Sequence, residues 1–338
     1  MARTVTGFYL DPPLFIHEVP FDEARRLALF DRFALVAFRS QVAQGIEMNA
    51  TIDGQFGFDF SEVVKSSLGA EPADHDDFDA LAESVVARTN VMNAFLAFFY
   101  TRLITVEQRG VERMVVTPDM TIAMDNLDGT SGAGFGNPRV SHLVMSRYPG
   151  TYMIGPPADF DSRLSHRVQS PAVALDCLQA AVDDLSRLIE NDDDEGVVIV
   201  DLFLRAAKAY QDHNHSLSLI SYWTIIERLI NRLWQRMQSE NRTRDSVEFI
   251  DGKRSKRLND GRTFTAAVMS EMLSFQGYLD LETYNEIATI RRARNNWMHS
   301  LKMVGSDDSQ TANSVCERLL KQVMDVTVIG ASGRTLHG

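Results

Sequence analysis

The sequence predicts a mainly helical protein, with a C-terminal helical bundle preceded by an α+β N-terminal domain. Three observations carry this. From Pro171 onward, apart from the charged run 191–196 and the polar Gln238–Arg262, apolar residues recur at three- and four-residue spacing. Short strand-like runs and a glycine-rich segment occur only before that point. The charge also changes character: residues 1–195 hold 15 Lys/Arg against 30 Asp/Glu, a balance of -15, whereas residues 196–338 hold 19 against 16, a balance of +3.

At 338 residues the chain exceeds the usual single domain. The run Asn191-Asp192-Asp193-Asp194-Glu195-Gly196 is too charged to bury and ends in a helix breaker. It divides an acidic domain, residues 1–190, from a bundle, residues 196–330. No apolar stretch approaches the roughly 20 residues that span a bilayer. The opening MARTVTGFYLDPPLF lacks the pattern of a secretory signal. Cys177 and Cys316 are too few and too distant for a disulfide framework or a zinc module. These features lead us to expect a cytoplasmic protein with no membrane partner, no cofactor and no metal.

In the first half, Phe21–Ser40 reads as a helix and His75–Ile104 as a longer one behind the acidic cap ADHDD. Arg113–Thr117, Thr121–Met124 and Arg139–Arg147 read as strands. The glycine-rich Asp125–Pro138 lacks the Lys-Ser/Thr ending of a P-loop and a complete dinucleotide fingerprint. Met124 and Phe135 stand where a calcium loop needs carboxylates, so the segment reads as a turn-rich connection. No catalytic grouping stands out in this half.

In Pro171–Glu190, Leu175, Leu178, Val182, Leu185 and Ile189 form one apolar face. Helices are then expected at Gly196–Tyr210, Ser216–Met237, Thr263–Phe275, Leu281–Met303 and Ser309–Val328. Ser309 is expected to cap the last of these and Gly330 to close it. Gln238–Arg262 reads as a long polar loop. It carries Arg242, Arg244, Lys253, Arg254, Lys256, Arg257 and Arg262 against five acids, which suits either an RNA backbone or plain solvation. Asp212-His213-Asn214-His215 contains potential metal ligands, but capping of the next helix by Asn214 or Ser216 is the simpler role.

Two apolar stripes are interrupted by charge. Glu227 lies in line with Ile220, Trp223, Ile230 and Trp234, and Arg294 in line with Ile287, Ile290, Trp297 and Leu301. A lone buried charge is costly and a paired one tolerable, so Glu227 and Arg294 are expected to meet. Asn295 and His299, four residues apart, share a helix face, while Arg294 is rotated from His299 by about 140°. Two such helices across a twofold axis would gather two Arg and two His in one cleft. The structural alternative is a compensating Arg294–Glu227 bridge with His299 as an ordinary helix histidine.

The stretch RNNWMH, residues 294–299, with Arg, a polar residue directly after it and His after a four-residue spacer, resembles the signature of HEPN-domain ribonucleases. Tyr222–Trp234, YWTIIERLINRLW with its central Glu, is similar to the preceding helix of the Apea-like HEPN branch. The likeness covers about residues 197–328. It implies a homodimer with a composite site for metal-independent RNA cleavage, leaving a 2′,3′-cyclic phosphate and a 5′-hydroxyl. Within it, His299 would transfer protons, Arg294 would stabilise the phosphorane and Asn295 would position substrate. The resemblance also implies a place in phage defence or a toxin-type system, with the N-terminal domain sensing a trigger, selecting substrate, binding a regulatory protein or restraining the site. A non-catalytic HEPN dimer serving as a binding or assembly module is the alternative.

Overall fold

The computed structural model describes residues 4–11, 14, 16, 35–52, 54–74, 77–124, 126–127, 173–191, 195–244 and 247–330. The chain forms two compact units, Met1–Asp201 and Leu202–Gly338. Helices dominate, and the strands of the one extended sheet all lie in the first unit.

The first unit is built on an antiparallel five-stranded sheet of order β2-β3-β4-β1-β5. Its strands are β1 Val5–Tyr9, β2 Val36–Gln41, β3 Glu47–Thr51, β4 Gln55–Asp59 and β5 Ile122–Met124. The β2–β3 hairpin turns at Ala43–Ile46, where Gln44 and Gly45 have φ of 58° and 81° and the Ile46 N–H donates to the Ala43 carbonyl at 3.3 Å. Two central residues with positive φ make a turn whose twist matches the strands. Gly7 and Gly57 face each other across β1 and β4. A Cβ on Gly7 would fall 2.6 Å from Met124 Sδ, and one on Gly57 would fall 2.4 Å from Asn49 Oδ1. Bare backbone at this pair is what lets neighbouring side chains lie flat on the sheet.

Helix α1, Phe78–Thr105, starts where the Asp77 carboxylate accepts from the Asp79 and Ala80 N–H groups at 3.1 and 3.0 Å. It covers the sheet with aromatic side chains. Phe95 lies 5.3 Å from the Phe56 ring and 5.7 Å from Phe58, and Phe99 lies 5.6 Å from Phe56, all of them fully buried. Helix α2, Leu175–Asn191, packs on α1, with Arg102 of α1 donating through Nε to Asp184 at 2.8 Å.

Several sequence expectations change here. Residues 36–40 of the expected Phe21–Ser40 helix form strand β2, because their alternate side chains serve a sheet face; residues 21–34 lie outside the described residues. The expected strand Arg113–Thr117 joins no ladder. Instead the Asn93 side chain on α1 pairs with it as a strand would: Oδ1 accepts from the Val116 N–H at 2.8 Å, and Nδ2 donates to the Val116 carbonyl at 3.0 Å. The expected strand Arg139–Arg147 and most of the Asp125–Pro138 connection also lie outside the described residues.

Helix α3, Glu195–Gln211, contains the division between the units. It ends with His213 at φ 59°, the His213 N–H donating to the Tyr210 carbonyl at 3.0 Å and the Asn214 N–H to Ala209 at 2.8 Å. This pairing closes orphan carbonyls of the last turn.

The second unit is arranged around α4, His215–Glu240, with α6 Ala266–Phe275, α7 Leu281–Ser300 and α8 Ser306–Met324 packed against it. Aliphatic side chains supply much of its core: Leu219, Ile226, Leu229, Ile230 and Leu233 of α4 and Val315, Leu319 and Leu320 of α8 are fully buried. Burying each such side chain contributes roughly 1.5–3 kcal/mol. Ser309 does not cap α8. Gly305 holds that position, and Ser309, inside the helix, donates from Oγ to Ser218 Oγ at 2.8 Å in the core. Asp325, at φ 55°, closes α8 in place of Gly330. Gly330 instead donates its N–H to Glu317 Oε1 at 2.7 Å, tying the following segment back onto α8.

The expected loop Gln238–Arg262 is largely folded. It holds a short hairpin, β6 Thr243–Arg244 with β7 Val247–Glu248, and helix α5 Gly252–Leu258. Trp234 anchors it, donating from Nε1 to the Leu258 carbonyl at 3.0 Å and packing 5.2 Å from the Phe264 ring.

Candidate functional site

Helix α7 carries the residues singled out by their chemistry. Asp280 starts it, accepting the Thr283 N–H at 2.7 Å and the Thr283 hydroxyl at 3.0 Å. The backbone donor at Thr283 holds the Asp280 carboxyl below its ordinary value. Thr283, Ile287 and Ile290 form the narrow buried face. Beyond Ile290 the helix emerges: Arg294, Asn295 and Trp297 are half-buried, while Met298 and His299 are exposed. Leu301 adopts φ 50° and stops the helix.

The structure brings Arg294 and Asn295 together, the Arg294 Nη1 donating to Asn295 Oδ1 at 3.0 Å. His299 lies one turn beyond Asn295 and makes no hydrogen bond or ion pair among the described residues. The expected ion pair does not form: no charged atoms of Glu227 and Arg294 come within 4.0 Å. The reason lies in burial. Both side chains are half-buried and keep water, so neither charge demands a partner, and the truly buried positions of the two stripes go to apolar residues. Glu227 is left on α4 with its backbone carbonyl accepting from Asn231 at 2.9 Å.

The cationic residues near α5 divide into occupied and projecting groups. Arg242 pairs with Glu248 at 3.3 Å across the small hairpin. The Arg254 guanidinium stacks 4.0 Å from the Phe249 ring centroid and donates to the Phe249 carbonyl at 3.2 Å. Lys253, Lys256 and Arg257 project into solvent, with no ion pair among the described residues. Arg244 lies in β6. Beside this group, Gln235, Gln238, Arg242, Asp251 and Asn259 help line a polar hollow of about 380 Å³.

A second hollow, of about 270 Å³, lies where α4, α6 and α7 converge, and sequence reasoning missed it. Trp223 and Ile287 are among its buried lining residues, Ala266, Ala267 and Met272 line the α6 side, and Tyr284, Ala288 and Arg291 the α7 side. The readable signal was the set of alanines at 266, 267 and 288, since small side chains on converging helices leave a gap.

Asn214 caps α4, accepting from the Leu217 N–H at 3.2 Å, and the His215 ring lies edge-on 5.2 Å from Tyr210. No group of three or more potential metal-ligating side chains occurs among the described residues. Burial pushes the Cys177 thiol up to about 12 and raises that of Cys316 well above its usual value, so neither offers a thiolate nucleophile near neutrality. Among the described residues no helix is long and apolar enough to cross a membrane. No protein-family model matches the chain, and no curated protein or solved structure matches it.

Proposed function

We propose that this chain is a metal-independent endoribonuclease of HEPN type. It works as a homodimer in which Arg294, Asn295 and His299 of two subunits line one cleft. The observation that carries the reading is the second half of α7. There a guanidinium, an amide and an imidazole occupy two successive turns, beside apolar side chains left on the surface. Met298, Leu301 and Met303 are 49%, 76% and 83% exposed. Apolar surface next to reactive groups supports a second copy as the cover.

In that assembly the substrate 2′-hydroxyl attacks its own phosphorus, the P–O5′ bond breaks, and the proton lost by the nucleophile is matched by one delivered to the leaving oxygen. His299 moves protons, since an imidazole can both accept and donate them. Arg294 stabilises the charge developing on the phosphorane oxygens through its planar fork. The hydrogen bond from Arg294 to Asn295 holds that fork at a fixed angle to the helix. The acidic first unit would select the substrate, in keeping with a defence or toxin role.

Purified full-length protein incubated with labelled RNA in EDTA tests this. Cleavage to 2′,3′-cyclic phosphate ends is expected, with DNA untouched. Arg294→Ala and His299→Ala should each abolish it, and His299→Ala should leave dimer mass and thermal melting unchanged. Wild-type cleavage in both variants, or a monomer that cleaves, would sink the reading. The second reading, a non-catalytic dimer used as an assembly module, draws on the same Arg294–Asn295 hydrogen bond, which engages the guanidinium within its own subunit. Inert but dimeric protein favours it.

A further inference from the structure

The basic insertion presents a helix face whose cationic donors the fold leaves unmatched. On α5, Lys253, Lys256 and Arg257 stand at positions i, i+3 and i+4, so they share one face over a rise of about 6 Å. All three are exposed and make no ion pair or hydrogen bond among the described residues. The opposite side of the helix is anchored. Ser255 and Leu258 are half-buried there, and the Leu258 carbonyl accepts from Trp234 of α4 at 3.0 Å. Gln238 Nε2 donates to Asn259 Oδ1 at 3.0 Å and ties the end of α5 to α4 as well.

Carboxylates are not scarce in this chain, which holds 46 Asp and Glu against 34 Lys and Arg. Cations elsewhere use them: Arg102 and Arg187 pair with Asp184, Lys208 with Asp212, and Lys321 with Asp325. Within the insertion every described acid has a local task. Glu240 accepts the Tyr278 hydroxyl, Glu248 pairs with Arg242, Asp251 caps α5 at the Arg254 N–H, and Asp260 accepts the Thr263 hydroxyl. Helix stability does not account for the face either. Lys256 and Arg257 suit the carbonyl end, but Lys253 stands in the first turn, where the dipole opposes a cation. Like charges at these spacings repel, and an anion from outside the chain relieves the repulsion.

We propose that this face binds the phosphodiester backbone of a nucleic-acid strand and so holds the RNA on which the α7 groups act. The proposal rests on the nuclease reading for RNA as the strand. Surfaces that hold nucleic acid are more polar and more positively charged than those that hold protein. Their backbone contacts come from Lys and Arg with neutral polar side chains beside them. The neighbourhood has that composition, since Gln235, Gln238, Ser239 and Asn259 help line the adjoining polar hollow of about 380 Å³. An acidic protein would call for an apolar centre beside the charges, and a lipid surface for apolar anchors. The hollow offers mainly amides and hydroxyls. Because α5 is already fixed to α4, the strand meets cations whose support needs no ordering on binding.

The test uses full-length protein and a fluorescently labelled 2′-O-methyl dodecamer of mixed sequence, which the 2′-hydroxyl mechanism cannot cleave. Anisotropy titrations run across about 50–200 mM salt. Lys253→Gln, Lys256→Gln and Arg257→Gln together should weaken binding by about 10-fold or more. They should also flatten the slope of log affinity against log salt by about 2, the signature of three phosphate contacts to a single strand. Arg187→Gln, Lys208→Gln and Lys321→Gln together remove the same charge from carboxylate-paired positions, and should change the affinity by about twofold or less. An unchanged affinity and slope in the α5 variant, or an equal loss in the control, overturns the proposal. So does wild-type binding of polyglutamate or of phosphatidylserine vesicles at least as tight as that of the dodecamer, which would make the partner an acidic protein or a membrane. Cleavage of ordinary RNA scored in parallel separates the two ideas. Binding that depends on the α5 face without cleavage removes the nuclease and keeps the surface, whereas cleavage with an unchanged KM in the α5 variant does the reverse.

Discussion

Helices α1 and α7 spend their residues in opposite ways. From Ala87 onward α1 buries nearly every side chain, whether aromatic against the sheet or polar in a matched pair. By contrast α7 buries Thr283, Ile287 and Ile290 and leaves its second half to arginines, Asn295, His299 and exposed Met298. A helix enclosed on all sides contributes mainly to stability. One held by a narrow face keeps groups available for chemistry or association, at the expense of local stability. Dense burial and candidate function therefore lie on different helices.

Truncating the aromatic contact should give the largest effect. Phe95→Ala removes a side chain stacked on Phe99 and packed at an angle against Phe56 and Phe58, and is expected to destabilise the first unit by about 3–5 kcal/mol. Hydrogen exchange should accelerate in β4 and α1 peptides; equal acceleration in α7 would break the comparison. Next comes Asn93→Ala, which strips both partners from the fully buried Val116 backbone and one from Asp201, whose Oδ1 accepts from Asn93 at 2.7 Å. A loss of about 2–3 kcal/mol is expected in urea titrations. A neutral result would show that residues 113–117 have other means of support.

The smallest effect belongs to α7 itself. Asp280→Ala removes the helix cap and should cost about 1 kcal/mol near neutral pH, with faster exchange confined to the first turns of α7. Because the Asp280 carboxyl is held below its ordinary value of 3.8, its contribution is present above that pH. It fades as the pH falls through the lowered value. The gap between wild type and variant in thermal melting should therefore close on acidification. A gap that widens below pH 3.8 would contradict the hydrogen-bonding cause.

The helices of the second unit were legible because a repeat of 3.6 residues is written locally, and the observed spans of α4, α6, α7 and α8 fall close to the expected ones. The sheet was harder. Strands β1 and β4 pair across some fifty residues, a non-local partnership that no short window contains. Both β1 and β4 are buried along almost their whole length, so they lack the clean alternation of a half-exposed strand. One overlooked clue was Asp53-Gly54 between two strand-forming runs, a pairing favoured in hairpin turns. At the candidate site, the shared helix face of Asn295 and His299 was readable from spacing, and the hydrogen bond from Arg294 to Asn295 was not. Nor was the absence of an ion pair to Glu227, because position in a stripe does not tell how much water a long side chain retains.

From its residues alone, then, the chain determined where the long helices of the second unit run, which of their faces are apolar, where the charge balance turns, and that Arg294, Asn295 and His299 share one helix. Tertiary structure decided the sheet order, the rescue of residues 113–117 by Asn93, the folding of the basic insertion onto Trp234, and the hollow lined by Trp223. The physical reason is range. Helical periodicity and capping are fixed by neighbours within a few residues, whereas pairing, burial and unmatched donors depend on which distant segments close over them.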